Sequence, residues 1–182
     1  MNAHLVDQVN ALRFPAQLPA TLLEIEQNFP APHLDDIPAA VRAALAGSMP
    51  LQRIQPGMRV AVGAGSRGVT NLPAIVRTVV EEIRALGAQP FVFPAMGSHG
   101  GATAPGQIEM LASLGVTPES IGAEILATME VRQIGQLSDG PPLYQDANAA
   151  AADATFLVNR IKPHTDFHGA LESGLAKMAV IG

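Results

Sequence analysis

The chain lacks cysteine and tryptophan and has a single tyrosine in 182 residues. The absence of cysteine excludes disulfide bonds, thiolate nucleophiles and cysteine-ligated zinc, so a metal would need histidine, carboxylate or non-protein ligands. Long apolar runs are also absent, because no stretch approaches the ~18 apolar residues of a membrane helix. The segment from Met1 to Arg13 lacks the basic start and apolar centre of a signal peptide. We therefore expect a cytoplasmic protein with no membrane partner.

Basic charge is scarce as well, with 11 Lys and Arg residues against 16 Asp and Glu residues and a formal net charge of −5. A nucleic-acid partner would need a basic stripe that displaces phosphate counterions and aromatic rings that stack on bases, so we expect none. The chain is instead apolar, with 48% hydrophobic and 15% charged residues, which excludes a disordered protein. Its length suffices for one compact domain with a buried core.

Apolar periodicity predicts three amphipathic helices. Residues 36–46, 71–86 and 105–114 repeat apolar side chains at helical spacing, and a glycine follows each segment. Asn71 stands where the cap of the second helix is expected. Residues 1–35 are interrupted by prolines and are predicted to form an irregular arm or an edge strand.

Short β-rich runs predict the strands between these helices. Residues 58–63, 91–93 and 155–158 are typical of buried strands, and the alternation over 129–134 is typical of an edge or antiparallel strand. Strand–helix units of about thirty residues are typical of right-handed crossovers between parallel strands. We therefore predict an α/β fold over residues 36–182, three-layered and Rossmann-like, with a mainly parallel sheet.

Ligands of parallel sheets bind beyond the carboxyl ends of the strands, where three loops of this chain concentrate polar residues. The first loop carries Gly63, Gly65 and Gly68 in a G-x-G-x-x-G pattern between a strand and a helix, which is the context of a dinucleotide fingerprint. No acidic residue follows the second strand to hold a ribose, and Arg67 favours an anion bound by its guanidinium and by backbone N–H groups. The loop indicates a phosphate or carboxylate pocket, with NAD binding and a purely structural turn as alternatives.

The second loop places His99 between Gly97 and Gly100, where the backbone can approach a ligand closely. An imidazole titrates near neutral pH and is the usual proton acceptor in active sites. His99 is therefore a candidate general base, and a structural histidine in a tight turn is the alternative.

The third loop concentrates basic residues in the last part of the chain. Lys162 and Lys177 are its only lysines, and His164 and His168 lie between them. The two histidines are four residues apart, as metal ligands on one helix face can be, but Pro163 makes this stretch a poor helix. We favour a general base together with a lysine that is desolvated near other cations and is therefore nucleophilic.

Two motifs carry a resemblance to a known family. Residues 97–103 read Gly-Ser-His-Gly-Gly-Ala-Thr, and residues 162–167 read Lys-Pro-His-Thr-Asp-Phe ahead of Glu-Ser-Gly and Lys177. From about Pro56 onward the chain thus resembles the nickel-pincer lactate racemase family. The resemblance implies a racemase or epimerase of a small α-hydroxy acid, whose nickel pyridinium pincer mononucleotide accepts a hydride from the substrate Cα while a histidine takes the hydroxyl proton. It does not name the hydroxy acid, because lactate racemases carry Asp where this chain has Ala64.

The resemblance also implies roles for individual residues. His99 and His164 match the two acid/base histidines, and Lys177 matches the lysine to which the cofactor is attached. Arg67 matches the arginine of the substrate or phosphate loop. The cofactor site predicted in this way consists of Gly65, Ser66, Arg67 and Lys177.

The family's nickel-ligating histidine lies beyond the cofactor lysine, and no histidine follows His168 here. None of the residues of this chain is therefore assigned to the metal. We expect the chain to be the N-terminal domain of a longer two-domain enzyme, with its C-terminal domain as a partner and no activity of its own. The alternative is a non-catalytic α/β domain that binds a small anion or a nucleotide phosphate.

Overall fold

The computed structural model describes residues 7–8, 11–12, 21, 23–30, 32–66, 68–162, 166, 168–170 and 172–181. Contacts between residues divide the chain into two compact units, Met1–His33 and Leu34–Gly182. In the first unit, the described residues from 21 onward form neither helix nor strand, and they are exposed to solvent. The sheet and its helices belong to the second unit.

The second unit alternates helices and strands along the chain. No helix in the described part of the chain has both the length and the apolar character that crossing a membrane requires. The helices are α1 (Ile37–Ala46), α2 (Leu72–Ala85), α3 (Ala104–Ser113), α4 (Pro118–Ile121), α5 (Ala147–Ala150) and α6 (Leu175–Ile181). The strands are β1 (Arg59–Ala64), β2 (Gln89–Pro94), β3 (Val131–Gln136), β4 (Pro142–Asp146) and β5 (Ala154–Val158).

β1 is the central strand of a three-stranded parallel sheet with the order β2-β1-β5. Val60 pairs with Pro90 of β2 and with Ala154 of β5, and Ala64 pairs with Pro94 and Val158, so the three strands end at the same level. β3 and β4 form a separate antiparallel pair. The alternation over residues 129–134 predicts β3, but no pattern in the sequence predicts β4. The predicted α/β class is confirmed, whereas the three-layer, Rossmann-like arrangement stays a prediction.

The two faces of the parallel sheet bury different apolar clusters, because successive side chains of a strand point to opposite faces. Val60 and Val62 of β1 belong to the larger cluster, to which α2 contributes Val76, Val80 and Ile83 from one helical stripe. Burial of each such side chain contributes about 2 kcal/mol, so α2 holds the sheet firmly from this face. The smaller cluster on the other face consists of Ala61, Phe91, Phe93, Ala95 and Ala149.

Two helix starts follow the capping chemistry of the sequence, and a third does not. Asp36 caps α1 and Thr103 caps α3, each through a side-chain oxygen that accepts a backbone N–H. Asn71, the predicted cap of α2, does not cap it, because its backbone is left-handed (φ 60°) and its side chain makes no capping hydrogen bond. The helix begins at Leu72, with a proline in its first turn.

Candidate functional site

Three loops meet at the carboxyl edge of the parallel sheet and line one cavity of about 240 Å³. Because β1, β2 and β5 run in the same direction, the residues that follow them are brought to the same edge. The structure thereby brings Ser66, His99 and Lys177 together around one space. The polar lining consists of Ser66 from the first loop, Ser98 and His99 from the second, and Asn159, Arg160, Lys162, Ser173 and Lys177 from the third.

Of the other predicted site residues, Gly65 is described and is not among the described residues that line the cavity. Arg67 and His164 lie outside the described residues, so their assigned roles stay predictions. Gly65 is described, and its N–H donates to the Val158 carbonyl at 3.0 Å, which extends the pairing of β1 with β5 by one residue. Its place in the fold is therefore explained by strand pairing.

The glycines of the first loop make room for side chains of the third loop and of β5. A Cβ on Gly63 would lie 2.8 Å from Leu157 Cδ2, and a Cβ on Gly65 would lie 2.6 Å from Asn159 Oδ1. Gly68 adopts φ +63°, and a Cβ there would displace the guanidinium of Arg160. Each glycine of the G-x-G-x-x-G pattern thus has a packing reason within the chain, which favours the structural interpretation of the pattern over the NAD one.

The cavity is cationic although the whole chain is acidic. Its charged lining residues are Arg160, Lys162 and Lys177, and no carboxylate is among the lining residues of the described chain. Positive groups without a counter-charge raise the local concentration of anions, and a guanidinium binds carboxylate or phosphate through two parallel hydrogen bonds. The arrangement therefore suits a small anion.

Asn159, Arg160 and Lys162 were not assigned to the site from the sequence. Their position after β5 marks them as part of the third loop, at the edge where ligands are expected, but the sequence motifs assign none of them an individual role in the site. The side chain of Asn159 is fixed, because its Oδ1 accepts from the backbone N–H of Arg160 at 2.8 Å. This bond orients the start of the third loop.

Lys177 lies in α6, and its side chain is exposed. This exposure gives no support to desolvation by burial, so the nucleophilic role of Lys177 stays a prediction. Its proximity to other cations is as expected, since Arg160 and Lys162 line the same space. An exposed amine is accessible to a large reaction partner.

His99 forms the most specific polar contact of the site. Its Nδ1 lies 2.5 Å from the Oγ of Ser66, which is only 8% exposed. The residue is half-buried and lines the cavity. A buried hydroxyl at hydrogen-bond distance fixes the orientation of the imidazole.

The loop that carries His99 is packed onto the first turn of α3. Buried Gln107 donates from Nε2 to the Gly97 carbonyl at 2.8 Å. Gly100 contacts the backbone of Gly106 so closely that a Cβ on Gly100 would lie 2.5 Å from the Gly106 carbonyl. Thr103 Oγ1 donates to the Gly100 carbonyl at 3.1 Å. These contacts hold the histidine in a defined place before any ligand arrives.

The structure gives His168 a surface role. Its Nδ1 lies 3.5 Å from the Glu172 carboxylate, and its side chain is 79% exposed. Among the residues that the structure describes, no three histidine or acidic side chains cluster in a way that could hold a metal. A metal site built on His164 and His168 stays untested, because His164 lies outside those residues.

Asp146, at the end of β4, lines a second, smaller cavity beside the His99 loop. Its Oδ1 accepts from the N–H groups of Asn148 at 2.8 Å and Ala149 at 3.0 Å, which caps α5. Desolvation by burial raises the pKa of this carboxyl above its ordinary value, and the two backbone hydrogen bonds oppose that rise.

Comparison with family models, with curated proteins and with solved structures finds no match for this chain. The resemblance stated from the loop motifs therefore stays a prediction.

Proposed function

We propose that the protein is a racemase or epimerase of a small α-hydroxy acid, acting from a Rossmann-like, three-layer domain. The observation that carries the proposal is the shared cavity, in which a fixed imidazole, His99, faces the same space as Arg160, Lys162 and Lys177. An anion site beside a general base suits a substrate that has a carboxylate next to a hydroxyl.

The substrate's two functional groups correspond to two parts of the cavity. Its carboxylate is bound by the cations of the third loop, with the guanidinium of Arg160 as the bidentate partner. Its hydroxyl meets His99, which takes the proton while hydride leaves the neighbouring carbon. Inversion needs a second acid/base group on the opposite face of the flat keto acid, and His164 is the predicted one.

The nickel pyridinium pincer mononucleotide fits this donor set, because the cavity combines a reachable amine with cations that suit a phosphate. Lys177 would hold it covalently, and Lys162 would neutralise its phosphate. When bound, it supplies a reversible hydride acceptor at the substrate Cα. The residues of this chain bind the acid, orient it and move the hydroxyl proton.

The test uses the protein purified from its own source. Incubated in ordinary water with one enantiomer of an α-hydroxy acid deuterated at Cα, it is expected to yield the other enantiomer with the deuterium retained. Loss of the label would show proton abstraction at carbon, and no inversion of any small α-hydroxy acid would contradict the proposal. Lys177→Ala is expected to abolish a cofactor-sized increase in intact mass, whereas the control Arg53→Ala, at a residue outside the cavity lining, retains it.

One observation favours a second function, an anion-binding domain without catalysis. Every charged lining residue of the described cavity is a cation. An anion-binding domain is expected to bind sulfate, and Arg160→Ala should weaken that binding. It should show no cofactor-sized increase in intact mass and should not invert a hydroxy acid. The mass and label experiments therefore separate the two functions.

A further inference from the structure

A third cavity, of about 530 Å³, lies on the sheet face that buries the smaller apolar cluster. Strands of the parallel sheet form one side of it, and β3, β4 and α6 contribute the rest of its lining. Its volume is in the range of small-molecule sites, and most of its described lining residues are apolar. These apolar residues include Phe93, Ala95, Leu157, Met178 and Val180, and we call the space the apolar cavity.

The apolar cavity adjoins the cationic cavity at Ala95 and Met178, which line both spaces. Met178 directly follows Lys177 in α6, so the same turn of this helix contributes to both linings. The boundary is slight, because Ala95 contributes only a methyl group and the unbranched thioether of Met178 adapts readily to what lies beside it. A ligand whose charged end is held by the cations can therefore extend past these two residues into the apolar cavity.

The apolar cavity runs along the strands, away from the edge where the three loops meet. Phe93 and Leu157 lie at one level of the sheet, because both pair with Gly63 of β1. Thr155 also lines the cavity and lies two residues further from the edge, which is about 7 Å at the rise of a β-strand. Among the described lining residues from the parallel sheet, Thr155 is the farthest from the edge, so its side chain limits the length of a bound chain.

Charge differs between the two adjoining cavities. The cationic cavity is lined by Arg160, Lys162 and Lys177, whereas Asp146 is the only Asp, Glu, Lys, Arg or His in the described lining of the apolar cavity. A carboxylate at the far end of a ligand would lose its hydration among apolar side chains and would also meet the carboxyl group of Asp146. The pair of cavities therefore suits an acid with one carboxylate and an apolar tail, and it disfavours a dicarboxylate.

We propose that the apolar cavity binds the side chain of the substrate, and that the substrate class is α-hydroxy acids with a linear alkyl tail. The carboxylate stays with the cations, the tail passes Ala95 and Met178, and Thr155 sets the length that is accepted. Lactate ends in a single methyl group and leaves the apolar cavity unused. This inference rests on the proposed function, from which it takes the place of the carboxylate, and it adds which hydroxy acids the protein prefers.

The experiment measures kcat/KM for the inversion of straight-chain α-hydroxy acids, from lactate to α-hydroxyoctanoate, by the protein purified from its own source. Each methylene that moves from water into the apolar cavity is expected to raise kcat/KM about fourfold. The dicarboxylate α-hydroxyglutarate is expected to have a kcat/KM at least about tenfold below that of α-hydroxyhexanoate. Values that stay level or fall from lactate onward would overturn the inference and leave the proposed function standing.

Two substitutions at Thr155 separate the space in the cavity from the contacts around it. Both Thr155→Phe and Thr155→Ala remove the hydroxyl that accepts from Gln145 Nε2 at 3.3 Å, but only phenylalanine fills the far end of the cavity. In Thr155→Phe, the ratio of kcat/KM for α-hydroxyoctanoate to that for lactate is expected to fall about tenfold, the effect of roughly two methylenes. In Thr155→Ala, the matched control, this ratio should stay within about twofold of the wild type. An unchanged ratio in Thr155→Phe would contradict the inference.

Methyl NMR of the wild-type protein locates the tail independently of turnover. α-Hydroxyoctanoate is expected to shift the methyl signals of Ala95, Met178 and Thr155, whereas lactate should leave the Thr155 signal in place. Inversion of α-hydroxyoctanoate without a shift at Thr155 would place the tail elsewhere, which overturns the inference and leaves the proposed function standing. If the protein inverts no α-hydroxy acid of the series, the inference and the proposed function fail together.

Discussion

Two adjacent glycines of the His99 loop offer a matched pair of substitutions. Gly100 has φ +63° and Gly101 has φ +67°, so both adopt a left-handed backbone that an L side chain disfavours. Their surroundings differ, because a Cβ on Gly101 has nothing within 4 Å, whereas a Cβ on Gly100 would lie 2.5 Å from the backbone carbon and oxygen of Gly106. Alanine at the two positions therefore separates backbone strain from the packing of the loop on α3.

The expected losses of stability follow from the backbone strain and from the packing of the loop. Gly101→Ala meets only the left-handed strain and should lower the free energy of unfolding by about 1–2 kcal/mol. Gly100→Ala introduces the same strain and also displaces the loop from the backbone of Gly106. This displacement should lower the free energy of unfolding by a further amount of about 1–3 kcal/mol. At about 2–4 °C per kcal/mol for a chain of this size, the melting temperatures should fall by about 4 °C and about 10 °C respectively.

Urea and thermal unfolding followed by circular dichroism measure both differences. Sulfate titration is the second assay, because displacement of the loop in Gly100→Ala moves His99 and Ser98 and should weaken binding, while Gly101→Ala retains it. Equal losses of stability in the two variants would refute the reasoning. It would mean that the loop does not rest on the first turn of α3.

Three further substitutions test other contacts. Gln107→Leu leaves the Gly97 carbonyl without its partner, so the free energy of unfolding should fall by about 1–3 kcal/mol in urea denaturation. Arg160→Ala should weaken sulfate binding about tenfold in calorimetric titration, and Arg53→Ala, remote from the cavity lining, should leave it unchanged. Burial raises the pKa of Asp146 above its ordinary value of 3.8, so at pH values between 3.8 and the raised pKa the native state binds more protons than the unfolded chain. The free energy of unfolding therefore falls as pH rises from 3.8 through the raised pKa. Asp146→Asn keeps a capping oxygen and should abolish this decrease in stability with pH, which is measured from the midpoints of urea unfolding across the pH range. An unchanged decrease in the variant would mean that another group causes it.

The elements with strong apolar periodicity could be predicted from the sequence. β1, β2 and β5 and the helices α1, α2 and α3 all lie within a few residues of their expected positions. Periodicity works here because these elements bury one stripe or one face against the sheet. The two four-residue helices α4 and α5 are too short to show a period, and β4 has no clear alternation of apolar side chains.

Part of the candidate site could also be predicted. Parallel strands bring their following residues to one edge, which is why Ser66, His99 and Lys177 line one cavity. Loop conformation could not be derived in this way, because it depends on contacts between residues far apart in sequence. The bond between Ser66 and His99 and the position of the Arg160 guanidinium over Gly68 are contacts of that kind.

The fit between the first loop and the residues of β5 and beyond makes these two stretches evolutionarily interdependent. A methyl group at position 65 has no room while Asn159 keeps its bond to the next backbone N–H, and a methyl at 63 overlaps Leu157. A larger residue at one position therefore requires a smaller one at the other. In homologous sequences, positions 63 and 157, and positions 65 and 159, should covary as pairs.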